Sequence, residues 1–347
     1  MSGFVALEDG TVLRGQSVAA EGFALGEAVF ATAMTGYQEL VTDPSYEEQI
    51  ICFTAPMMGN YGVDRARSES TRPHAHAVLM REARGPAWTD WLHEHAIVAL
   101  SGIDTRSLVL HLREHGAMRA AVVAGEASVE ETLRAVREQP QMTGRALVAR
   151  VSTRAPYTFS DAGAARIAVV DYGCKRSILR RLRRAGAAVT VYPHDVDADE
   201  LAGYDGVLLS NGPGDPEPLT GEVATLRDLL GRVPVLGICL GHQLLALATG
   251  LKTYKLTFGH RGANHPVLER RTGRVLVTSQ NHGFAVEPSE GSEVTATSLY
   301  DGTVEALELP DLRARSVRFH PEAGPGPHDA WPILEQWVEE VSLRAAA

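Results

Sequence analysis

From residue 166 onward, short apolar runs alternate with helical segments, and that rhythm constrains the fold more than any other feature of the chain. Residues 166–171 are a continuous apolar strand, followed by a helix over about 175–185 and strands at 189–192 and 206–210. A helix at 222–230 leads into the strand 233–238, and another helix covers about 242–249. Runs that are apolar at successive positions suit strands covered on both faces, and strand–helix alternation builds parallel strands joined by crossover helices. The pattern predicts an α/β domain whose open, mostly parallel sheet is flanked by helices. Later strands at 275–279, 304–309 and 316–319 lead to a closing helix at 332–343, where Ile333, Leu334, Trp337, Val338 and Val341 make one apolar stripe. Ligands in such sheets lie beyond the carboxyl ends of the strands.

The first half has a different rhythm, that of a mixed, β-rich α+β domain. Asp9-Gly10 between two apolar runs is a hairpin signal, and 27–34, 50–54 and 77–80 are further strands. A helix is expected at 105–115, with Leu108, Leu112 and Val109 on one face and Gly116 as its stop. A second begins at Ser128, spaced from Glu131 as in a capping box, and ends at Pro140. Between about 150 and 165 the apolar pattern stops in a small, polar, proline-broken run. The expected organisation is therefore a domain at 1–150, a linker at 151–165 with the boundary near 160, and a domain at 166–347.

Composition excludes several classes. Of 347 residues, 33 are Lys or Arg and 43 Asp or Glu, a formal charge of −10 that argues against nucleic-acid binding. Three widely spaced cysteines make no disulfide framework. The start has no basic-then-apolar leader, and the longest apolar stretch, 233–250, is broken by His242, Gln243 and glycines, so no membrane span is expected. A cytoplasmic setting is the expectation.

Gly237-Ile-Cys239-Leu-Gly241 is the cysteine form of a nucleophile elbow. Its glycines let strand and helix approach while the central side chain is held in a strained turn at a helix N-terminus. The Leu240 N–H can then face a developing oxyanion. A cysteine after an apolar strand is also commonly a small buried hydrophobe, and the elbow spacing leaves both readings open. His320-Pro-Glu322 supplies a partner: extended geometry points both side chains the same way, so the carboxylate can orient the imidazole toward the thiol. Two further segments follow strands. The stiff turn Ser210-Asn211-Gly212-Pro-Gly214-Asp-Pro216 could present backbone N–H groups or simply connect elements, and Ser279-Gln-Asn281-His-Gly283-Phe284 reads on its own as a turn.

Taken together these motifs resemble the class I glutamine amidotransferase family, and more closely the small subunits of carbamoyl-phosphate synthase. Phe258-Gly-His-Arg-Gly-Ala-Asn-His-Pro266 and Pro321-Glu-Ala-Gly-Pro-Gly-Pro-His-Asp329 share the resemblance. In the first half so do Ala33-Met-Thr-Gly-Tyr-Gln-Glu39, Thr42-Asp-Pro-Ser-Tyr46, Gly59-Asn-Tyr-Gly62 and Gly102-Ile-Asp-Thr-Arg106, similar to a domain that other glutaminases lack. The resemblance implies the class I glutaminase fold and hydrolysis of L-glutamine to glutamate and ammonia. Ammonia would pass to a large subunit that uses ATP, bicarbonate and divalent metal to make carbamoyl phosphate for arginine and pyrimidine synthesis. No cofactor or metal is implied for this chain. Cys239 would form a γ-glutamyl thioester, His320 would shuttle the proton, and Glu322 would orient it. Leu240 and Gly212 would supply oxyanion N–H groups, while Ser45, Gly214, Gln243, Asn281, Gly283 and Phe284 would contact glutamine, Ser45 bringing the first domain into the pocket. Two departures stand out: Cys174 and Ser177 in Asp171-Tyr-Gly-Cys174-Lys-Arg-Ser177, expected to reflect packing, and Arg318 where many relatives carry glutamine.

Other patterns are set aside. There is no P-loop and no G-x-G-x-x-G fingerprint. His111-Leu-Arg-Glu114-His115 displaces the glutamate of a zincin motif and reads as a polar helix edge. His74, His76, His93 and His95 are expected at solvated surface, and His242 and His282 lack the adjacent carboxylate that singles out His320. The cluster Lys175, Arg176, Arg180, Arg181, Arg183 and Arg184 reads as a solvated helix face, or less simply as a dock for an acidic partner. Three rivals remain: a free-standing cysteine hydrolase of γ-glutamyl compounds, a docking subunit with a relic site, and a glutaminase serving another synthetase.

Overall fold

A computed structural model describes residues 2–289 and 293–345 of the chain. The described residues form two compact units: one runs to Arg145 and takes in Thr257–Gly262, and the other comprises Ala146–Leu256 and the residues from Ala263 onward.

In chain order the first unit contains β1 (Ser2–Leu7), β2 (Val12–Ser17), β3 (Gly22–Ala31), α1 (Tyr37–Thr42), β4 (Gln49–Phe53), β5 (Met57–Met58), β6 (Ala77–Leu79), β7 (Glu82–Ala83), α2 (Pro86–Glu94), β8 (Val98–Ser101), α3 (Thr105–His115), β9 (Met118–Ala124) and α4 (Val129–Glu138). Its main strands close into a barrel in the order β1-β2-β8-β6-β4-β3-β9, which leaves no exposed edge; β5 and β7 pair separately. The expected hairpin is there, with β1 antiparallel to β2. Alternate residues of the strands, including Val5, Leu7, Ile50, Cys52, Leu79 and Leu100, fill the barrel with Leu108 and Leu112 of α3. The Ser128 hydroxyl caps α4 by accepting from Glu131 N at 3.3 Å.

The second unit contains α5 (Val148–Val151), β10 (Tyr157–Ser160), β11 (Ala165–Asp171), α6 (Arg176–Arg184), β12 (Ala187–Pro193), α7 (Ala198–Leu201), β13 (Gly206–Leu209), α8 (Thr220–Leu229), β14 (Val235–Ile238), α9 (Leu240–Ala248), β15 (Lys252–Glu269, less its first-unit residues), β16 (Val275–Glu287), β17 (Val294–Ser298), β18 (Val304–Leu309), β19 (Ala314–Val317) and α10 (Trp331–Ala345). Among the described residues the strands form one sheet in the order β10-β12-β11-β13-β14-β19-β18-β17-β15-β16. The five strands β12, β11, β13, β14 and β19 are mutually parallel, as the alternation required. The inner strands β11, β13 and β14 are buried on both faces. Ile167, Val169, Leu208, Leu236 and Ile238 pack on the side of α6 and α10, while Ala168, Val170, Val207, Leu209 and Val235 pack on the side of α8 and α9.

Two expectations are corrected. The division between units falls between Arg145 and Ala146 rather than near residue 160, and the segment 151–165 is not a bare connector. Tyr157–Ser160 pairs antiparallel with β12, and Phe159 packs on the core. Its polar, proline-broken composition hid an edge strand, which needs only one apolar side. The second correction concerns 280–284, which lies inside β16 instead of forming a turn. The long β15 went unpredicted because its sequence is charged and polar, with few of the apolar positions by which strands are read.

The α10 stripe does what its spacing predicted: Leu334, Trp337, Val338 and Val341 are buried against the sheet. Trp337→Ala should cost about 3–5 kcal/mol of unfolding free energy, measured by urea denaturation, because it empties the space between α10 and the strands.

Candidate active site

The carboxyl ends of β11, β13, β14 and β19 lie side by side, and each is followed by one of the candidate segments. At the end of β14 the chain turns through Cys239 into α9. Cys239 has φ +53° and ψ −101°, a conformation that L-residues adopt only where the surroundings impose it, commonly at functional sites. The flanking glycines show what imposes it. A Cβ on Gly237 would come within 2.6 Å of Gly241 O, and one on Gly241 within 2.4 Å of Leu209 O. Strand and helix therefore touch backbone to backbone. The turn is pinned by Cys239 N donating to Val317 O at 2.9 Å and Gly241 N to Ser210 O at 3.0 Å. The sulfur is buried and lies 3.6 Å from Asn281 O.

Two residues beyond Arg318, which follows β19, His320 N donates to Ser279 O at 2.9 Å, tying the His-Pro-Glu segment to β16. Glu322 Oε1 lies 2.7 Å from His320 Nδ1. Nε2, on the opposite side of the ring, makes no hydrogen bond among the described residues, and the Cys239 sulfur interacts with the imidazole. Glu322, His320 and Cys239 are thus brought together, in the order that an orienter, a base and a nucleophile would need.

A fourth member was not anticipated. Lys175, assigned to a solvated helix face, is buried just ahead of α6, with Nζ 2.9 Å from Glu322 Oε1 and 2.8 Å from Ala323 O. Arg181, also counted on that face, is buried as well and pairs with Glu335. The turn that carries Lys175 is held by Asp171, whose Oδ1 accepts from Gly173 N at 3.0 Å and Cys174 N at 2.7 Å. Lys175 N in turn donates to Asn211 Oδ1 at 3.1 Å, joining this turn to the one after β13. The available signal was position: a lysine just past the carboxyl end of a buried parallel strand sits where ligands and charges gather.

These charges set the protonation states. Burial works against ionising Glu322, but Lys175 and then His320 overcome it and hold the carboxyl well below its ordinary range. Burial likewise opposes the imidazolium of His320, and the Glu322 carboxylate outweighs it and moves the ring upward. His242, fully buried with Nδ1 2.8 Å from Ser316 Oγ, is pushed down to about 3, by burial first and the Arg318 charge second, so it stays neutral and takes no part as a base.

The remaining second-unit candidates surround this array. A Cβ on Gly212 would lie 2.2 Å from Tyr172 O, so only glycine fits there, and Gly214 has φ +89°. Gln243 Nε2 donates to Phe284 O at 2.9 Å, linking α9 to the β16 segment that carries Asn281, Gly283 and Phe284. Leu240 opens α9 directly after the sulfur. Ser45 belongs to the first unit, in a 3₁₀ turn where its N–H donates to Asp43 Oδ1 at 2.9 Å.

The set-aside histidines divide. His111 Nε2 lies 2.6 Å from Asp9 Oδ2 at the polar edge of α3. His74 is not at solvated surface: it is buried, 2.9 Å from Glu47 Oε2. Cys174 packs against the core of the second unit.

Comparison with known proteins agrees with this geometry. Residues 168–339 match the family model for glutamine amidotransferase class-I, a class to which an elbow cysteine in a parallel sheet is suited. Residues 5–122 match a second family model, the carbamoyl-phosphate synthase small chain, CPSase domain. The chain is 44% identical to the carbamoyl phosphate synthase small chain of Syntrophotalea carbinolica, covering 98% of this chain and 97% of that one. It is 45% identical to that of Methanopyrus kandleri, covering 97% and 98%, and 44% identical to that of Bacillus caldolyticus, covering 96% and 94%. The chain belongs to the carbamoyl phosphate synthase small chain family.

Two predictions follow from the site's packing and charge. An alanine in a helix normally gains about 1 kcal/mol over glycine. At Gly241 the sign should reverse, with Gly241→Ala losing roughly 1–3 kcal/mol in urea denaturation as the new methyl meets Leu209 O. The second concerns acid. Glu322 binds its proton less readily folded than unfolded, so its contribution to stability is complete above its ordinary value of 4.5 and is lost as pH falls toward the folded value. Urea midpoints measured from pH 6 down to about pH 3 should therefore decline, and Lys175→Met should flatten that limb by removing the main cause of the shift.

Proposed function

We propose that this chain is the glutamine-hydrolysing subunit of a carbamoyl-phosphate synthase, with Cys239, His320 and Glu322 as its catalytic triad. The observation that carries this reading is the buried line Lys175–Glu322–His320 ending at the elbow cysteine, in a chain whose first half matches the small-chain domain. A relic site would have no reason to retain a buried lysine–carboxylate pair, whose desolvation costs several kcal/mol per ion.

In this mechanism the Cys239 thiolate attacks the γ-carboxamide carbon of glutamine. The resulting oxyanion is received by the N–H groups of Leu240 and Gly212. Collapse of the tetrahedral intermediate breaks the C–N bond, His320 gives its Nε2 proton to the departing ammonia, and a γ-glutamyl thioester remains. Water, deprotonated by His320, then adds to the thioester carbon and releases glutamate with the cysteine restored. Glu322 keeps Nδ1 occupied throughout, so that Nε2 is the atom exchanging protons. Gly214, Gln243, Asn281, Gly283 and Phe284 form the glutamine-binding wall.

In this reading the second unit carries the glutaminase chemistry, and ammonia would be consumed on a large subunit that binds ATP, bicarbonate and divalent metal. Among the described residues no helix is long and apolar enough to cross a membrane. With the copurified partner, Cys239→Ser should abolish carbamoyl phosphate synthesis from glutamine and leave synthesis from added ammonia intact. Loss of both activities would show that the cysteine serves packing, and a partner other than a carbamoyl phosphate-forming subunit would redirect the product.

A further inference from the structure

Arg318, which departs from the family pattern, has no role assigned so far, and it is fully buried two residues before His320. Its Nη2 donates to Phe284 O and, at 2.5 Å, to His282 Nδ1. An arginine is always a donor, so His282 Nδ1 must accept and the ring's proton sits on Nε2. That Nε2 lies 2.5 Å from Gln280 Oε1, and Gln280 Nε2 donates to Glu305 Oε2 at 2.8 Å. Three donations thus link four side chains in one direction, from guanidinium to carboxylate, and Arg318 N closes the loop on Glu305 O at 2.8 Å. Phe284 O, at the near end, is the same oxygen that accepts from Gln243 Nε2.

We infer that Arg318 is a positioning residue for glutamine: its guanidinium, anchored through His282 and Gln280 to Glu305, clamps the 281–284 segment of β16 against Gln243 of α9, and so sets the spacing of the glutamine-binding wall. The inference rests on the proposed glutaminase reading and deepens it. A planar fork of donors suits this role, because one nitrogen can satisfy a backbone carbonyl and a ring nitrogen without rotating. A glutamine in its place has one NH₂ and a shorter reach, and a lysine keeps the charge while giving up the fork. The same charge acts on His242, where it adds to burial in keeping the ring neutral.

The test is a comparison of two reagents on the full chain, read by mass spectrometry of the Cys239 peptide. One is a chloroketone analogue of glutamine, which must occupy the wall before it alkylates; the other is iodoacetamide, which need not. Arg318→Gln should weaken the half-saturating concentration of the chloroketone roughly tenfold while the iodoacetamide rate changes less than about twofold, and Arg318→Lys should recover part of the loss. If Arg318→Gln does not fold, Arg318→Gln with Glu305→Gln is measured instead, since it also removes the carboxylate that the guanidinium compensates. Unchanged chloroketone binding would overturn the inference, and so would an equal fall with both reagents, which would mean that Arg318 only supports the fold. Failure of the chloroketone to label Cys239 in the unmodified chain would overturn the glutaminase reading itself.

Discussion

The buried carboxylate of Glu322 is the interaction on which the site depends. An isolated carboxylate has no place in a dry interior, where the effective penalty for an ion is several kcal/mol. It is tolerated because Lys175 arrives from the turn after β11 and His320 from two residues back along the same segment, both within hydrogen-bond reach of one oxygen. Glu322 is ionised because of the other two, and it in turn favours the imidazolium of His320, against which Lys175 works. Removing Glu322 would take the counter-ion from buried Lys175, so the carboxylate holds the array together. The strained turn at Cys239 completes it, enforced by backbone contact at Gly237 and Gly241 that any side chain would prevent.

The sheet explains how such distant residues meet. Asp171, Leu209, Ile238 and Val317 end four parallel strands at one edge, and the chain leaves each of them with the residues that matter: Lys175, Asn211–Gly214, Cys239 and Arg318–Glu322. The antiparallel extension adds what the parallel strands cannot. β16 brings the carbonyls of Ser279, Asn281 and Phe284 to His320, Cys239 and Gln243, respectively. Behind it Arg318, His282 and Gln280 donate in turn toward Glu305 through a buried polar interior.

Much of this was legible from residue order. Glycines two positions either side of Cys239 announced the elbow, and His320-Pro-Glu322 announced its partner, because local backbone geometry fixes both. The α10 stripe and the Ser128 cap were legible for the same reason. The failures were long-range. Lys175 looked like one more charge on a basic helix until the fold set Glu322 beside it, and His74 looked like surface until Glu47 covered it. The strand β10 was hidden in a linker-like composition, and 280–284 read as a turn because Asn and Gly dominate it. Pairing with distant strands overrode that local preference.

Periodicity, turn chemistry and short motifs, which act over a few residues, by themselves determined the parallel core of the second unit, the strand–turn–helix setting of Cys239 and the pairing of His320 with Glu322. Tertiary structure alone decided that a lysine and an arginine would be buried, that a β-strand would carry the wall opposite the sulfur, and that the first unit would close into a barrel. Those outcomes depend on desolvation and on hydrogen bonds between residues dozens to more than a hundred positions apart, and no local pattern encodes either.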